Sequence, residues 1–262
     1  MRRGRPGLLG ASAVRTNTTL VINPKGGSGK TTVTTNLASA FAAKGLQTSI
    51  MDYDPQGSSL NWLKVRAQHA AKIHGANAAP QKAGRLRSVE MYVPPSTQQL
   101  IIDAPAGASG LLLQEMLART DCILIPVAPS AIDIHATANF IRDLLLSGRI
   151  RARNIRLGVV ANRVRSSMPV YQPLERFLGS LSLALLTRLS DSDAFLKAAE
   201  SGVGVFEMDA SASFAEREQF QPVVDWVENR PAAKPRTDDK VIPLAGVRAV
   251  GSSLFSSFGF LK

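Results

Sequence analysis

Between Asn23 and Thr32 the chain reads Asn-Pro-Lys-Gly-Gly-Ser-Gly-Lys-Thr-Thr. Gly26, Gly27 and Gly29 allow a tight turn whose backbone N–H groups face a common concavity, an arrangement that holds phosphate oxygens. Lys30 can reach β- and γ-phosphates, and the Thr31 hydroxyl can bind Mg²⁺. Ser28 and Thr32 complete the candidate cradle. The usual spacing of such loops would put a glycine at position 24, where this chain has Pro24, and Lys25 opens the loop instead. Carboxylates recur at two further points, in Asp52-Tyr53-Asp54-Pro55-Gln56-Gly57 and at Asp103, which ends Leu100-Ile101-Ile102 and precedes Ala104-Pro105-Ala106-Gly107. Asp103 can hold Mg²⁺ through water, and Asp52 is a candidate to orient the metal's surroundings. The other reading of Asp52 and Asp54 is as carboxylates capping the Pro-Gln-Gly turn. Together these groups suit phosphoryl transfer to water, which needs neutralised charge and a positioned nucleophile.

Short apolar runs alternate with helical patterns around these residues. Strands are expected at Thr19–Asn23, Thr48–Met51, Leu100–Ile102, Cys122–Val127, Leu157–Ala161 and Leu183–Leu186. Helices are expected at Thr31–Lys44, which ends before Gly45, and at Gly110–Arg119, Ile132–Ser147, Ser192–Ser201 and Phe214–Glu228. Continuously apolar strands alternating with helices imply an α/β fold with a mostly parallel, doubly wound sheet covered on both faces. In such sheets ligands bind beyond the carboxyl ends of the strands, where the Gly-rich loop and Asp103 fall. Three regions are expected: a basic arm at 1–17, a nucleotide-binding domain at 18–228, and a linker and tail at 229–262.

The 262 residues are 45% hydrophobic, enough for a sizeable core. A single cysteine, Cys122, excludes an internal disulfide and a thiolate metal site, and a reducing cytoplasm is the expected setting. No run approaches 18 uninterrupted apolar residues, so a transmembrane helix is not expected. The net charge of +11 favours a polyanionic partner. No acid falls between Asp54 and Glu90, or between Asp143 and Glu175; the second gap holds Arg149, Arg151, Arg153, Arg156, Arg163 and Arg165. A basic surface kept for solubility is the other reading. Leu254, Phe255, Phe258 and Leu261 have helix-like spacing, read as a tail segment, with a short amphipathic anchor as the alternative.

The Lys25–Thr31 loop resembles the deviant Walker A motif of the ParA/MinD family of partition and positioning ATPases. Asp52–Gly57 resembles the family's D-x-D-P-Q-G segment, and Leu100–Gly107 its Walker B segment, with Ala104 in place of the common Thr. The resemblance spans roughly 18–228 and implies a P-loop ATPase that uses ATP and Mg²⁺. It implies that Asp54 positions or activates the attacking water. It also implies that Lys25 reaches across an ATP-dependent homodimer to the partner's phosphates. Asn162-Arg163 resembles the family's Asn-Arg pair, in which the Asn reads adenine. Pro126–Asp133 resembles a loop lining the nucleotide and dimer face. Arg188 resembles a DNA-contacting arginine, and Arg149, Arg151 and Arg153 should lie opposite the nucleotide.

The function implied is nonspecific DNA binding on the nucleoid. The ATPase would position or segregate a plasmid, chromosome, carboxysome or chemoreceptor array with a ParB-like or cargo-linking adaptor that stimulates hydrolysis. Membrane is not an expected partner. The alternatives are a MinD-like regulator recruited to membrane through the tail, or a metabolic ATP-dependent enzyme on the same fold. Lys25 and the Asp-Pro-Gln-Gly segment argue against the second, and one cysteine cannot ligate the cluster of an iron-protein-like reductase.

Overall fold

The structure is a computed structural model and describes residues 15–80, 87–165 and 172–229. The basic arm to residue 14, the linker and tail from 230, and Lys82 and Arg85 lie outside the described residues. Among the described residues seven strands run β1 (Asn17–Val21), β2 (Thr48–Asp52), β3 (Ile73–Asn77), β4 (Gln99–Asp103), β5 (Cys122–Val127), β6 (Arg156–Val164) and β7 (Ala184–Ser190). The helices among the described residues are α1 (Lys30–Ala43), α2 (Ser58–Lys64), α3 (Arg87–Glu90), α4 (Gly110–Leu117), α5 (Ala131–Leu146), α6 (Arg149–Ala152), α7 (Gln172–Ser180), α8 (Asp193–Glu200) and α9 (Phe214–Glu228).

The strands form one sheet in the order β3-β2-β4-β1-β5-β6-β7, with every pairing parallel. Successive residues point to opposite faces, so the apolar runs divide between two cores. Leu20, Ile22, Met51, Ile102, Ile123 and Ile125 pack with Met116 of α4, Ile134 and Ile141 of α5 and Phe177 of α7. Val21, Ile50, Ile101 and Leu124 pack on the other face with Val33, Leu37 and Phe41 of α1, Trp62 of α2 and Phe220 and Val223 of α9.

This order places β1 centrally between β4 and β5. The loops after β1, β2 and β4 therefore open side by side at the carboxyl edge, and the register sets Asp52 directly beside Asp103. Several sequence-derived bounds shift. β1 begins at Asn17, inside the expected arm, because its N–H donates to the Gln98 carbonyl at 2.8 Å. β7 runs on to Ser190, four residues past the expected end. β3 is absent from the expected strands: Ile-His-Gly-Ala-Asn alternates too weakly to read as one, and only pairing with β2 defines it. The short α2, α3 and α6, and α7 with its wide apolar face, are likewise additions to the expected elements.

Candidate functional site

The phosphate loop is built from the end of β1 into α1. The Asn23 side chain, beyond the strand, donates to the Pro126 carbonyl at 2.8 Å and to Thr137 Oγ1 at 2.9 Å, and accepts from the Lys25 N–H at 2.9 Å. It anchors the first bend of the loop, a role its sequence position did not signal. Gly27 and Gly29 take positive φ of 75° and 92°, which glycine adopts without strain. At Gly29 there is no room for a side chain in any case: a Cβ would stand 1.8 Å from Asn162 Nδ2. Gly29 also accepts the first helical bond of α1 from Val33 N–H at 3.0 Å, so the amide-rich end of α1 faces the loop.

Lys30 is buried along its stem and donates from Nζ to the Lys25 carbonyl at 3.1 Å, an ammonium held over the loop. Burial lowers its pKa, and the charges of Asp103 and Asp54 oppose that. Ser28 is buried, with its hydroxyl turned back to the Lys25 carbonyl at 3.2 Å. Gly26 is exposed and Thr32 is half-buried beside Thr31. Lys25 is half-buried, and its ammonium has no hydrogen-bond or carboxylate partner among the described residues.

Thr31 Oγ1 donates to Asp103 Oδ2 at 3.0 Å. Asp103 Oδ1 is buried with no hydrogen-bond partner. Burial pushes this carboxyl up to about 7, helped by the neighbouring Asp52 carboxylate and opposed by Thr31, Lys30 and Ser59. A buried carboxylate oxygen with no hydrogen-bond partner, beside a hydroxyl, is a donor set suited to a cation. Thr31 and Asp103 thus fit Mg²⁺, which binds through one or two protein oxygens while keeping waters and phosphates.

The pair Asp52 and Asp54 divides its work. Asp52 Oδ1 accepts from the Asp54 N–H at 2.9 Å, while Oδ2 accepts from Ser59 Oγ at 2.7 Å, Ser59 N–H at 3.2 Å and Leu60 N–H at 3.3 Å. These bonds follow the capping reading: Asp52 holds the N-terminus of α2 and supports the site through its charge beside Asp103. Ser59, the key donor, is missed by sequence reasoning, because it lies seven residues from Asp52 with no local signal. Asp54 is half-buried and accepts from Gln56 N–H at 2.9 Å, and its charge is felt at Lys30. The loop after β4 joins the phosphate loop through Gly107 N–H to the Pro24 carbonyl at 3.0 Å.

Asn162 also reaches the loop: its Nδ2 donates to the Ser28 carbonyl at 3.0 Å. Arg163 follows with φ of 54° at an irregularity in the β6–β7 pairing. Asp133 lies in the first turn of α5, where Ser130 is the N-cap: the Asp133 N–H donates to Ser130 Oγ at 3.0 Å and its carboxylate accepts from that hydroxyl at 2.7 Å. Arg149, Arg151 and Arg153 are exposed on and beside α6, which leads into β6 at the amino edge of the sheet, away from the phosphate loop. Arg156 does not join them. Its guanidinium donates to the Trp226, Val227 and Asn229 carbonyls and lies 4.4 Å over the Trp226 ring, capping α9. Arg188 is ion-paired with Glu175.

Residues 19–205 match the family model described as the CobQ/CobB/MinD/ParA nucleotide binding domain. The chain belongs to this family. It is 25% identical over 198 residues to "Maintenance of carboxysome distribution protein A" of Halothiobacillus neapolitanus, covering 74% of this chain and 88% of that protein. It is 26% identical over 249 residues to "Protein IncC" of Escherichia coli, covering 80% of this chain and 68% of that one. The fold is similar to an ATP complex of Cyanothece McdA, with a TM-score of 0.64 at 14% identity over 84% of this chain and 99% of that one. Proteins named for carboxysome distribution and for chromosome partitioning are thus homologues of this chain, and the seven-stranded parallel sheet is the P-loop fold expected from the sequence.

Proposed function

We propose that this protein is an ATPase that dimerises with ATP bound, binds DNA without sequence preference, and positions an intracellular cargo through an adaptor protein. The observation that carries the reading is Lys25: a second lysine at the phosphate loop, unpartnered among the described residues, where Lys30 already covers the phosphate cradle. A half-buried cation at a loop suited to polyphosphate can pair with an anion, and a second subunit's nucleotide supplies one. Thr31 and Asp103 would hold Mg²⁺, which neutralises charge on the β- and γ-phosphates when bound. Lys30 and the Gly26–Lys30 amides hold the phosphates in place. Asp54, facing Lys30 from the β2 loop, orients the attacking water and takes its proton toward the carboxylate. Asn162 reads adenine on this reading by releasing Ser28 when nucleotide enters.

The exposed arginines 149, 151 and 153 at the amino edge form the DNA-facing surface, since phosphate contacts need only accessible cations. Arg188 contributes once Glu175 releases it. A cytoplasmic, nucleoid-associated protein follows. A carboxysome is the favoured cargo because relatives named for carboxysome distribution match across most of their length. The test is binding to random-sequence duplex DNA with ATP, ADP or no nucleotide over a salt series, with oligomeric state measured in parallel. Dimerisation and steeply salt-dependent binding that both need ATP are expected. DNA binding indifferent to nucleotide, or a monomer in saturating ATP, overturns the reading.

A further inference from the structure

Tyr53 stands between the two acids of the β2 loop. Extended backbone sends Asp52 and Asp54 to one side and Tyr53 to the other. Its side chain is fully buried in the core that also holds Met116 and Leu117 of α4. Its N–H donates to the Asp103 carbonyl at 2.9 Å, extending the β2–β4 pairing one residue past the strand. Its hydroxyl donates to Glu115 Oε1 at 3.0 Å. Glu115 lies on α4, the helix that starts just beyond the Asp103–Gly107 loop. A phenol bonded to a carboxylate is a stronger and more directional tie than a neutral pair. It joins the loop bearing Asp54 to the helix that follows Asp103, across 62 residues of sequence.

We propose that Tyr53 is a positioning residue for hydrolysis: its tether to Glu115 fixes the loop turn from Asp52 to Gly57 and so sets where the Asp54 carboxylate points. The inference rests on the ATPase reading above. Backbone pairing also holds the start of the turn, where the Asp52 carbonyl accepts from Ala78 N–H at 2.8 Å, and the bonds beyond Tyr53 are short-range. Asp54 N–H reaches Asp52, Gln56 N–H reaches Asp54 Oδ1 at 2.9 Å, and Gly57 N–H reaches the Asp54 carbonyl at 2.9 Å. These define the shape of the turn. The phenol is what ties its strand-side end to α4. Nucleotide affinity comes from the phosphate loop, and the Tyr53–Glu115 bond includes no residue of that loop. Loss of the tether therefore acts on turnover and spares binding, because small misplacement of a positioning group lowers rate steeply.

The experiment compares Tyr53→Phe, Glu115→Ala, Glu115→Gln and the Tyr53→Phe/Glu115→Ala pair with the parent, each as the full chain. Turnover, affinity for a fluorescent ATP analogue, and peptide-level hydrogen exchange over 53–60 and 23–33 are measured for each. Expected for Tyr53→Phe and Glu115→Ala is a turnover about tenfold lower with unchanged affinity. Exchange should be faster in 53–60 and unchanged in 23–33. Glu115→Gln, which keeps an acceptor oxygen, retains most of the turnover, and the double variant is no worse than either single one. Full turnover in Tyr53→Phe, or affinity falling in step with turnover, overturns the proposal. A parent protein that binds ATP and never hydrolyses it defeats the ATPase reading instead. The exchange arm then decides the tether by itself: unchanged exchange over 53–60 in Tyr53→Phe removes it.

Discussion

Replacing Asp103 with asparagine should stabilise the nucleotide-free protein while abolishing its turnover. Asp103 is buried beside Asp52, with one oxygen bonded to Thr31 and the other without a partner. Its carboxyl rises from 3.8 to about 7, chiefly through burial. The folded state therefore binds more protons than the unfolded chain between those values. Stability falls as pH rises through that window and is lowest above it. At about 1.4 kcal/mol for each tenfold, the full cost of the buried charge is at most about 4 kcal/mol. The part that develops between pH 5 and pH 8 is about 2–3 kcal/mol. The Asp103→Asn variant keeps an acceptor for the Thr31 hydroxyl and carries no charge, so it escapes this loss. Thermal or urea unfolding in EDTA without nucleotide should show the variant's advantage widening by that amount from pH 5 to pH 8. For a domain of this size that is a gap of roughly 5–10 °C in melting temperature. Added Mg²⁺ and ATP should narrow it by stabilising the parent alone. Parallel pH profiles for the two proteins would refute the reasoning, because the buried charge would then be neutralised by something other than a bound cation.

Lys25→Ala should leave ATP binding near its parent value and abolish ATP-dependent dimerisation, read by light scattering; retained dimers would show that the lysine serves its own subunit. Gly29→Ala meets both a φ of 92° and the Asn162 side chain, and should lose nucleotide binding together with a few kcal/mol of stability, measured by calorimetry and urea unfolding. Charge reversal of Arg149, Arg151 and Arg153 together should reduce the log–log salt slope of DNA binding by about 3 without changing the melting temperature, since all three are exposed; an unchanged slope would place the DNA surface elsewhere. Arg66→Ala should destabilise the fold by roughly 3–5 kcal/mol in urea, because it strands Glu207, its buried ion-pair partner, and removes a guanidinium stacked 5.0 Å from the Trp62 ring.

Much of the site was legible because its residues are close in sequence. Gly26 to Thr31 must form a phosphate loop wherever a strand precedes and a helix follows, since the glycines, the lysine and the hydroxyl act through local backbone geometry. Asp103 was legible as a carboxylate ending an apolar run. The apolar runs also announced the parallel sheet, because strands covered on both faces cannot alternate with polar residues. Sequence alone thus determined the family, the candidate phosphate loop and the fold class. Tertiary structure decided what depends on lateral neighbours. Packing buried Asp103 and the strand order put Asp52 beside it; burial first, and that neighbour second, turned an ordinary carboxyl into one raised to about 7. The same packing turned Asp52 to capping α2 through Ser59, withdrew Arg156 from the basic surface to cap α9, and set Asn162 against the phosphate loop. Burial and cross-strand contact are properties of residues far apart in the chain. No local pattern encodes them, and they decide which of several chemically similar side chains carries each role.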